Sequence, residues 1–155
     1  MNQTWRSMIS EDLPFVYAMA DHIHKELHED MDIFIERLRL FPEGCFVLED
    51  TSLCGYLISH PYTQGKSPPL NTLLHTLPHS DCLYIHDLAI LEPYRGNGHA
   101  AKMIAWLKEN VRLPLTLTSV NRSESFWVRQ GFVSDPSVHC SGYGSCVYMK
   151  IMPIV

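Results

Sequence analysis

Apolar residues follow two different spacings on either side of residues 95–100. Residues 83–90 form a nearly continuous apolar run, which is typical of a buried strand, whereas the apolar residues of 101–108 recur at helical spacing. Between them lies Arg95-Gly96-Asn97-Gly98-His99-Ala100, whose two glycines favour a tight turn. This stretch therefore predicts a strand, a glycine-bearing turn and an amphipathic helix in succession.

The rest of the chain also divides into short elements. The pattern predicts strands over 4–8, 45–49, 53–59, 115–119 and 147–151, and helices over 15–28 and 31–40. We expect Ser10 to cap the first helix, with Pro14 in its first turn. Residues 133–140 could hold a further strand, and the proline-rich residues 60–81 are expected to form a long connection.

A turn that joins a strand to a helix can hold a phosphate group. Glycines allow close approach of a ligand to the backbone, and the helix start offers unpaired N–H groups and a positive dipole end. The chain contains no Gly-x-x-x-x-Gly-Lys-Ser/Thr sequence and no Gly-x-Gly-x-x-Gly sequence near the start of a βαβ unit. These absences argue against a P-loop nucleotidase and a Rossmann dinucleotide site.

The turn resembles the acetyl-CoA loop of the GNAT superfamily of N-acetyltransferases. That family's pattern is Arg/Gln-x-x-Gly-x-Gly/Ala, and Arg95, Gly98 and Ala100 match it in register. Residues 121–132, with an Asn, a short helical stretch, an aromatic pair and Gly-Phe, resemble its second signature. The resemblance is detailed over residues 82–132 and follows element order elsewhere.

The resemblance implies one α/β (α+β) domain over residues 1–155. Its expected sheet is mixed but mostly antiparallel, with six or seven strands, about four flanking helices and splayed central strands. A chain of 155 residues with 46% hydrophobic residues is long enough for one such core.

The resemblance also implies acetyl-CoA as cofactor. The backbone of 88–90 would pair with the pantetheine arm, the N–H groups of 96–101 would take the pyrophosphate, and Lys102 or Arg95 could add positive charge. Asn121 would begin the next helix as its N-cap and contact the pantetheine amides, while Trp127 could wall the thioester pocket. The predicted cofactor-binding residues are Leu88, Ala89, Ile90, Arg95, Gly96, Asn97, Gly98, His99, Ala100, Ala101, Asn121, Ser125 and Trp127.

His86 is the predicted general base. Strand alternation puts its side chain with Tyr84 and Leu88 on one face, close to the expected thioester position. An imidazole titrates near neutral pH and can accept the proton of an amine. Alternation puts Asp87 on the opposite face, where it is expected to anchor a loop, with a catalytic role as the alternative.

The general acid is harder to predict. The family often has a Tyr four residues before the Gly of its Gly-Phe pair, but this chain has Trp127 there. An indole cannot supply a proton to a thiolate. Tyr143, between two glycines, is the first replacement considered, and Tyr84 and Ser125 are the others.

Charge and cysteine usage add weaker expectations. Residues 1–50 carry 11 acidic and 4 basic residues, and residues 93–130 carry 6 basic and 2 acidic ones. The basic segment suits a polyanionic cofactor, and the acidic segment is either a solvated surface or a feature that suits an amine substrate. The five cysteines show no Cys-x-x-Cys spacing and are expected to be reduced. His22, His24 and His28 are expected to be surface residues, and no metal site is predicted.

These observations favour an acetyl-CoA-dependent N-acetyltransferase that uses direct transfer in a ternary complex. The acceptor is expected to be a small-molecule or peptide amine, and the protein a monomer or homodimer. A non-catalytic module that binds or senses acyl-CoA is the alternative. The net charge of −5 argues against nucleic-acid binding. Without an 18-residue apolar run or a signal-peptide core, we expect a cytoplasmic protein with no membrane span.

Overall fold

A computed structural model describes residues 2–120, 122–140 and 142–153. Seven strands and four α-helices lie within these ranges. In chain order they are β1 (Thr4–Ser7), α1 (Leu13–Ile23), α2 (Met31–Leu40), β2 (Cys45–Glu49), β3 (Leu53–Tyr62), β4 (Cys82–Ile90), α3 (His99–Asn110), β5 (Leu115–Ser119), α4 (Glu124–Arg129), β6 (Val133–Ser134) and β7 (Val147–Ile151).

The strands form one sheet in the order β1-β2-β3-β4-β5-β7-β6. Strands β4 and β5 pair in parallel, and each other neighbouring pair is antiparallel. This arrangement confirms the predicted mixed, mostly antiparallel sheet. The parallel pair requires a crossover, which α3 provides by joining the end of β4 to the start of β5.

Helices cover both faces of the sheet. On one face, Val16 of α1 and Phe34 of α2 pack on Val47 and Tyr56. On the other face, Ile104 and other apolar residues of α3, together with Trp127 of α4, pack on the central strands. Burying such side chains is worth roughly 1.5–3 kcal/mol each, so these two layers hold the sheet between them.

Helix α1 differs from the prediction at both ends. Ser10 lies in a 3-10 turn that precedes the helix, so it is not the predicted N-cap. Asp12 is at that position, and its carboxylate accepts two hydrogen bonds from Arg6. The helix ends at Ile23, five residues before its predicted end at residue 28. Tertiary contacts of residues 24–30 with β4 replace the last predicted turn.

Strand β3 extends to Tyr62 and includes Pro61, which the prediction assigned to the connection. Its ladder with β2 ends at Ile58 opposite Cys45, so the missing N–H of Pro61 removes no bond from that ladder. The connection that follows is held by the buried Glu36, whose carboxylate accepts hydrogen bonds from the backbone N–H groups of Leu74 and His75.

The prediction that all five cysteines are reduced is wrong. Cys140 and Cys146 form a disulfide with Cα atoms 6.5 Å apart, a separation typical of such bridges. Cys45, Cys54 and Cys82 are free and buried. The bridge closes a short loop that carries Tyr143.

Candidate functional site

The glycine turn presents its backbone to an open surface. Gly96 and Gly98 have φ values of +81° and +80°, a left-handed conformation that side chains disfavour. A Cβ atom at either position would meet no atom within 4 Å. Gly98 is the N-cap of α3, and the first N–H groups of a helix have no partner within it. The turn therefore offers several backbone donors to an anion.

The central strands separate next to this turn. The β4–β5 ladder pairs Leu83 with Leu115 and ends where Ile85 pairs with Leu117. Residues 88–90 remain paired with β3 on their other edge. A groove of about 660 Å³ opens where the two strands diverge, and it runs to the start of α3.

Most of the predicted cofactor residues line this groove. They are Leu88, Ala89, Ile90, Arg95, Gly96, Gly98, His99, Ala100, Ala101 and Trp127. Arg95 is fixed in place, since its Nε atom donates to the carbonyl oxygen of Ile90 at 2.7 Å. Arg129 also lines the groove, whereas Lys102 lies exposed on α3 and is not part of the lining.

Two of the predicted residues are placed differently. Asn97 is exposed, and its side chain donates to the carbonyl of Tyr94. Ser125 lines a separate cavity of about 1110 Å³ between α4 and the disulfide loop. Asn121 lies outside the described residues.

A bulge in β4 places two neighbouring side chains on the same face of the sheet. Ile58 pairs with Asp87 and Ser59 pairs with Ile85, so His86 is the extra residue in the ladder. His86 contacts Glu29, and Asp87 contacts His24, both from the segment between α1 and α2. The prediction that alternation puts Asp87 on the face opposite His86 is therefore wrong.

Glu29 holds His86 from the segment after α1. Its Oε1 atom lies 2.6 Å from His86 Nε2, and its Oε2 atom accepts the backbone N–H of Asn71 at 3.0 Å. Both side chains of the pair are buried. Burial raises the pKa of Glu29, but the charge and hydrogen bond of a protonated His86 outweigh burial and lower the pKa of Glu29 to about 2.

The Nε2 atom of a neutral His86 donates to this carboxylate, so its lone pair lies on Nδ1. Within the described part of the chain, His86 Nδ1 is buried and has no hydrogen-bond partner. This nitrogen can accept a proton from a molecule that enters the site.

Asp87 forms a second pair with a histidine. Its Oδ1 atom lies 2.9 Å from His24 Nε2, and its Oδ2 atom accepts the hydroxyl of Tyr56 at 2.5 Å. Burial lowers the pKa of His24, but the charge and hydrogen bond of Asp87 raise it by more than burial lowers it. The net shift of the pKa is therefore upward. The interpretation of His24 as a surface residue is wrong, because its side chain is only 18% exposed. His22 is exposed, and His28 binds the exposed carboxylates of Asp21 and Asp30.

The two pairs meet at the boundary between two cavities. A small cavity of about 50 Å³ lies beside the groove and is lined by the acidic residues Asp21, Glu29 and Asp87. His24, His86 and Asp87 line both this cavity and the groove. A volume of this size accommodates a small group or a few water molecules next to the histidines.

The three side chains predicted as candidate acids lie away from the groove lining. Tyr143 lines the small cavity, but its hydroxyl donates to the carbonyl of Pro68 at 2.7 Å, and burial raises its pKa. Tyr84 is fully buried against Thr118, and burial raises its pKa to about 12. Ser125, as noted above, lines the separate cavity.

Neither Glu29 nor His24 can be recognised as a site residue from the sequence. They lie 57 and 63 positions from their partners on β4, and no short motif contains them. The excess of acidic residues in the first 50 positions is the available signal, but it does not single out Glu29.

Comparison with known proteins agrees with this geometry. Residues 5–132 match the model of the acetyltransferase (GNAT) family. An uncharacterised N-acetyltransferase of Halalkalibacterium halodurans is 36% identical over 55 residues, which are 36% of this chain and 32% of the relative. The match thus spans about a third of that relative's length.

Solved structures share the whole fold. Ard1 of Thermoplasma volcanium superposes with a TM-score of 0.76 at 17% identity, covering 100% of both chains. The loading GNATL domain of CurA from Lyngbya majuscula gives a TM-score of 0.79 at 14% identity, covering 99% of this chain and 98% of that one. Arabidopsis thaliana Naa50, solved with the bisubstrate analogue CoA-Ac-MVNAL, gives 0.68 at 12% identity, covering 97% and 99%.

None of the helices in the described ranges is long and apolar enough to cross a membrane.

Proposed function

The chain belongs to the acetyltransferase (GNAT) family, and from this premise we propose that it transfers the acetyl group of acetyl-CoA to a primary amine. The observation that carries the proposal is the junction of a groove suited to CoA with a small acidic cavity that contains a buried histidine. Bound acetyl-CoA supplies the acetyl group as a thioester.

The residues of the groove fit that cofactor. Backbone N–H groups at Gly96, Gly98 and the first turn of α3 suit the pyrophosphate, and Arg95 and Arg129 add positive charge to the lining. The edge of β4 beyond Ile85 is released from β5, which leaves backbone groups to pair with the pantetheine amides. Trp127, a buried residue that lines the groove, fits the wall of the thioester pocket.

The small cavity fits the acceptor. Its lining in the described ranges includes three carboxylates, three histidines and no Lys or Arg, and the carboxylate oxygens can accept hydrogen bonds from an amine. We therefore propose a primary amine of a small molecule or of a peptide as the acceptor. Naa50 was solved with an analogue that joins CoA to a peptide, which supports a peptide amine as one class of acceptor.

His86 acts as the general base in this proposal. The hydrogen bond to Glu29 fixes the tautomer that protonates Nε2 and leaves Nδ1 to take the proton of the attacking amine, directly or through a water in the cavity. The amine nitrogen bonds to the acetyl carbon while the carbon–sulfur bond breaks and its electron pair stays on sulfur. No cysteine in the described ranges lines either cavity, in agreement with direct transfer.

A thiol-release assay tests this proposal. Acetyl-CoA is incubated with tyramine, spermidine, lysine or peptides that begin with Ala or Met, and the free thiol is compared with the acetylated product by mass spectrometry. We expect one acetylated amine per thiol for at least one acceptor class. Tight binding of acetyl-CoA with no amine-dependent thiol release would instead support the acyl-CoA-binding module.

A further inference from the structure

The proposed transfer leaves a thiolate that needs a proton, and Trp127, which lines the groove, cannot supply one. A proton donor for this thiolate must reach the groove. Tyr143, Tyr84 and Ser125 are not among the residues that line it. The lining residues that also border the acceptor cavity are His24, His86, Asp87, Thr118 and Val120, within the described part of the chain.

Among these shared residues, one side chain suits an acid. Both carboxylate oxygens of Asp87 are engaged as acceptors, one by Tyr56 and the other by His24. His86 has the opposite task, since it removes a proton from the amine. His24 is the remaining candidate. It lies at the end of α1, where its backbone N–H donates to the carbonyl of Ala20.

We propose that His24, held by Asp87, is the general acid that protonates the sulfur of CoA as it leaves. This inference rests on the proposed function. In the balanced step, the neutral amine loses one proton to His86, the nitrogen–carbon bond forms, and the carbon–sulfur bond breaks with its electron pair on sulfur. The sulfur then takes a proton from the His24 imidazolium, so CoA leaves as a thiol. Exchange with solvent returns both histidines to their starting states.

The surroundings of His24 favour its charged form. Burial opposes the charged form, but Asp87 on β4 binds the ring directly and Glu29, from the same segment as His24, adds negative charge. The positive charge of Arg95, which also lines the groove, acts against them. The net result is a raised pKa for His24, which favours its protonated form. Asp87 also fixes the ring at the boundary of the two cavities.

The thiol of bound CoA provides a direct test that needs no acceptor. A neighbouring imidazolium stabilises the thiolate and lowers the pKa of the thiol. Titration of bound CoA by thiolate ultraviolet absorbance, as a difference from protein alone, is compared for the wild type, His24→Gln and His22→Gln. His22 is exposed on the same helix and serves as the matched control.

We expect the thiol of bound CoA to titrate at a pH lower by about 1 unit or more in the wild type and His22→Gln than in His24→Gln. Equal titration in all three proteins would overturn the proposal. With the amine selected by the thiol-release assay, His24→Gln should lower kcat at least about tenfold and lose the alkaline limb of its pH profile. An unchanged alkaline limb would also overturn it.

Two further outcomes separate this inference from the proposed function. If no amine is acetylated but the thiol shift depends on His24, the proposed function fails and the contact with sulfur stands. If amines are acetylated and His24→Gln behaves like His22→Gln, the inference alone fails.

If His24→Gln does not fold, a structure of the wild type with CoA bound provides the test. A ring nitrogen of His24 within about 6 Å of the sulfur, which allows one bridging water, supports the role, and a longer distance overturns it.

Discussion

The Nε2 atom of His86 and the Oε1 atom of Glu29 lie 2.6 Å apart, although 57 positions separate the two residues in the chain. The contact joins the bulge of β4 to the segment between α1 and α2, so it sets both the tautomer of the proposed base and the position of the acceptor cavity. Both side chains are buried, so the loss of either one would remove a contact that compensates the burial of the other.

We expect Glu29→Gln to lower kcat about tenfold or more while leaving the affinity for acetyl-CoA unchanged. A glutamine amide can donate to Nε2 and favour the other tautomer, in which Nδ1 carries the proton and cannot accept one. Nitrogen NMR of the His86 ring should show a protonated Nε2 in the wild type and a mixture of tautomers in the variant.

Glu26→Gln is the matched control, because Glu26 is exposed in the same segment. It should retain the wild-type tautomer and rate. If Glu29→Gln kept the wild-type ring tautomer together with its full kcat, Glu29 would have no positioning role.

Gly98→Asp should weaken CoA binding by at least about tenfold. The substitution places a negative charge at the N-terminus of α3, beside the proposed pyrophosphate site, in a backbone conformation that side chains disfavour. Gly65→Asp is the control for backbone strain. Gly65 has a φ of +79° and equally open space, but it does not line the groove, so a charge at this position lies away from the proposed pyrophosphate site. Calorimetry with CoA checks both variants. Equal losses of affinity in the two would remove the evidence for the turn as the binding site.

The protein should lose stability as the pH falls from 6.5 toward 3. Burial lowers the pKa of His60 to about 3 from its ordinary 6.5, so in this window the unfolded chain binds a proton that the folded chain does not. Glu29 adds a loss of the same sign mainly below pH 4.5, its unfolded pKa, and this loss continues toward its folded pKa of about 2.

Urea unfolding between pH 6.5 and 4.5, compared between the wild type and His60→Phe, therefore measures the contribution of His60. We expect this contribution to lower the free energy of unfolding by about 2 kcal/mol over this range. His60→Phe keeps an aromatic ring against Tyr62 and Tyr84 and should flatten the dependence. A wild-type slope that survives in His60→Phe would assign the acid sensitivity to another group.

Thiol titration checks the disulfide. In denaturant without reductant, three thiols should react, those of Cys45, Cys54 and Cys82, and five should react after reduction. In the folded protein the three free thiols should react slowly, since all three are buried and burial raises their pKa values. Five reactive thiols before reduction would show that the bridge between Cys140 and Cys146 is not formed.

Local sequence patterns were sufficient for the parts of the fold that depend on local physics. Helix α2 has its predicted bounds, because apolar residues at helical spacing begin at Met31 and Pro42 breaks the pattern. The turn before α3 is predictable for a similar reason, since left-handed positions select Gly96 and Gly98.

The parts that were not predictable depend on distant contacts. Alternation fails at His86 because the partner strand skips that residue, and no feature of 83–90 marks the bulge. The early end of α1 follows from the pairing of His24 and Glu29 with β4, which overrides the helix propensity of residues 24–28. The same contacts create the candidate site. His86 and Asp87 were candidates from the sequence, whereas their partners Glu29 and His24 were not.

The most direct test of the account compares amine-dependent release of CoA thiol by the wild type and by His86→Ala. Both proteins are assayed with acetyl-CoA and the amine selected by the thiol-release screen, and calorimetry measures the affinity of each for acetyl-CoA. The account predicts that the variant has a kcat reduced by about 100-fold or more and an unchanged Kd for acetyl-CoA. A variant that releases thiol at the wild-type rate and with the same pH profile would contradict it, because the histidine between the two cavities would then have no part in the reaction.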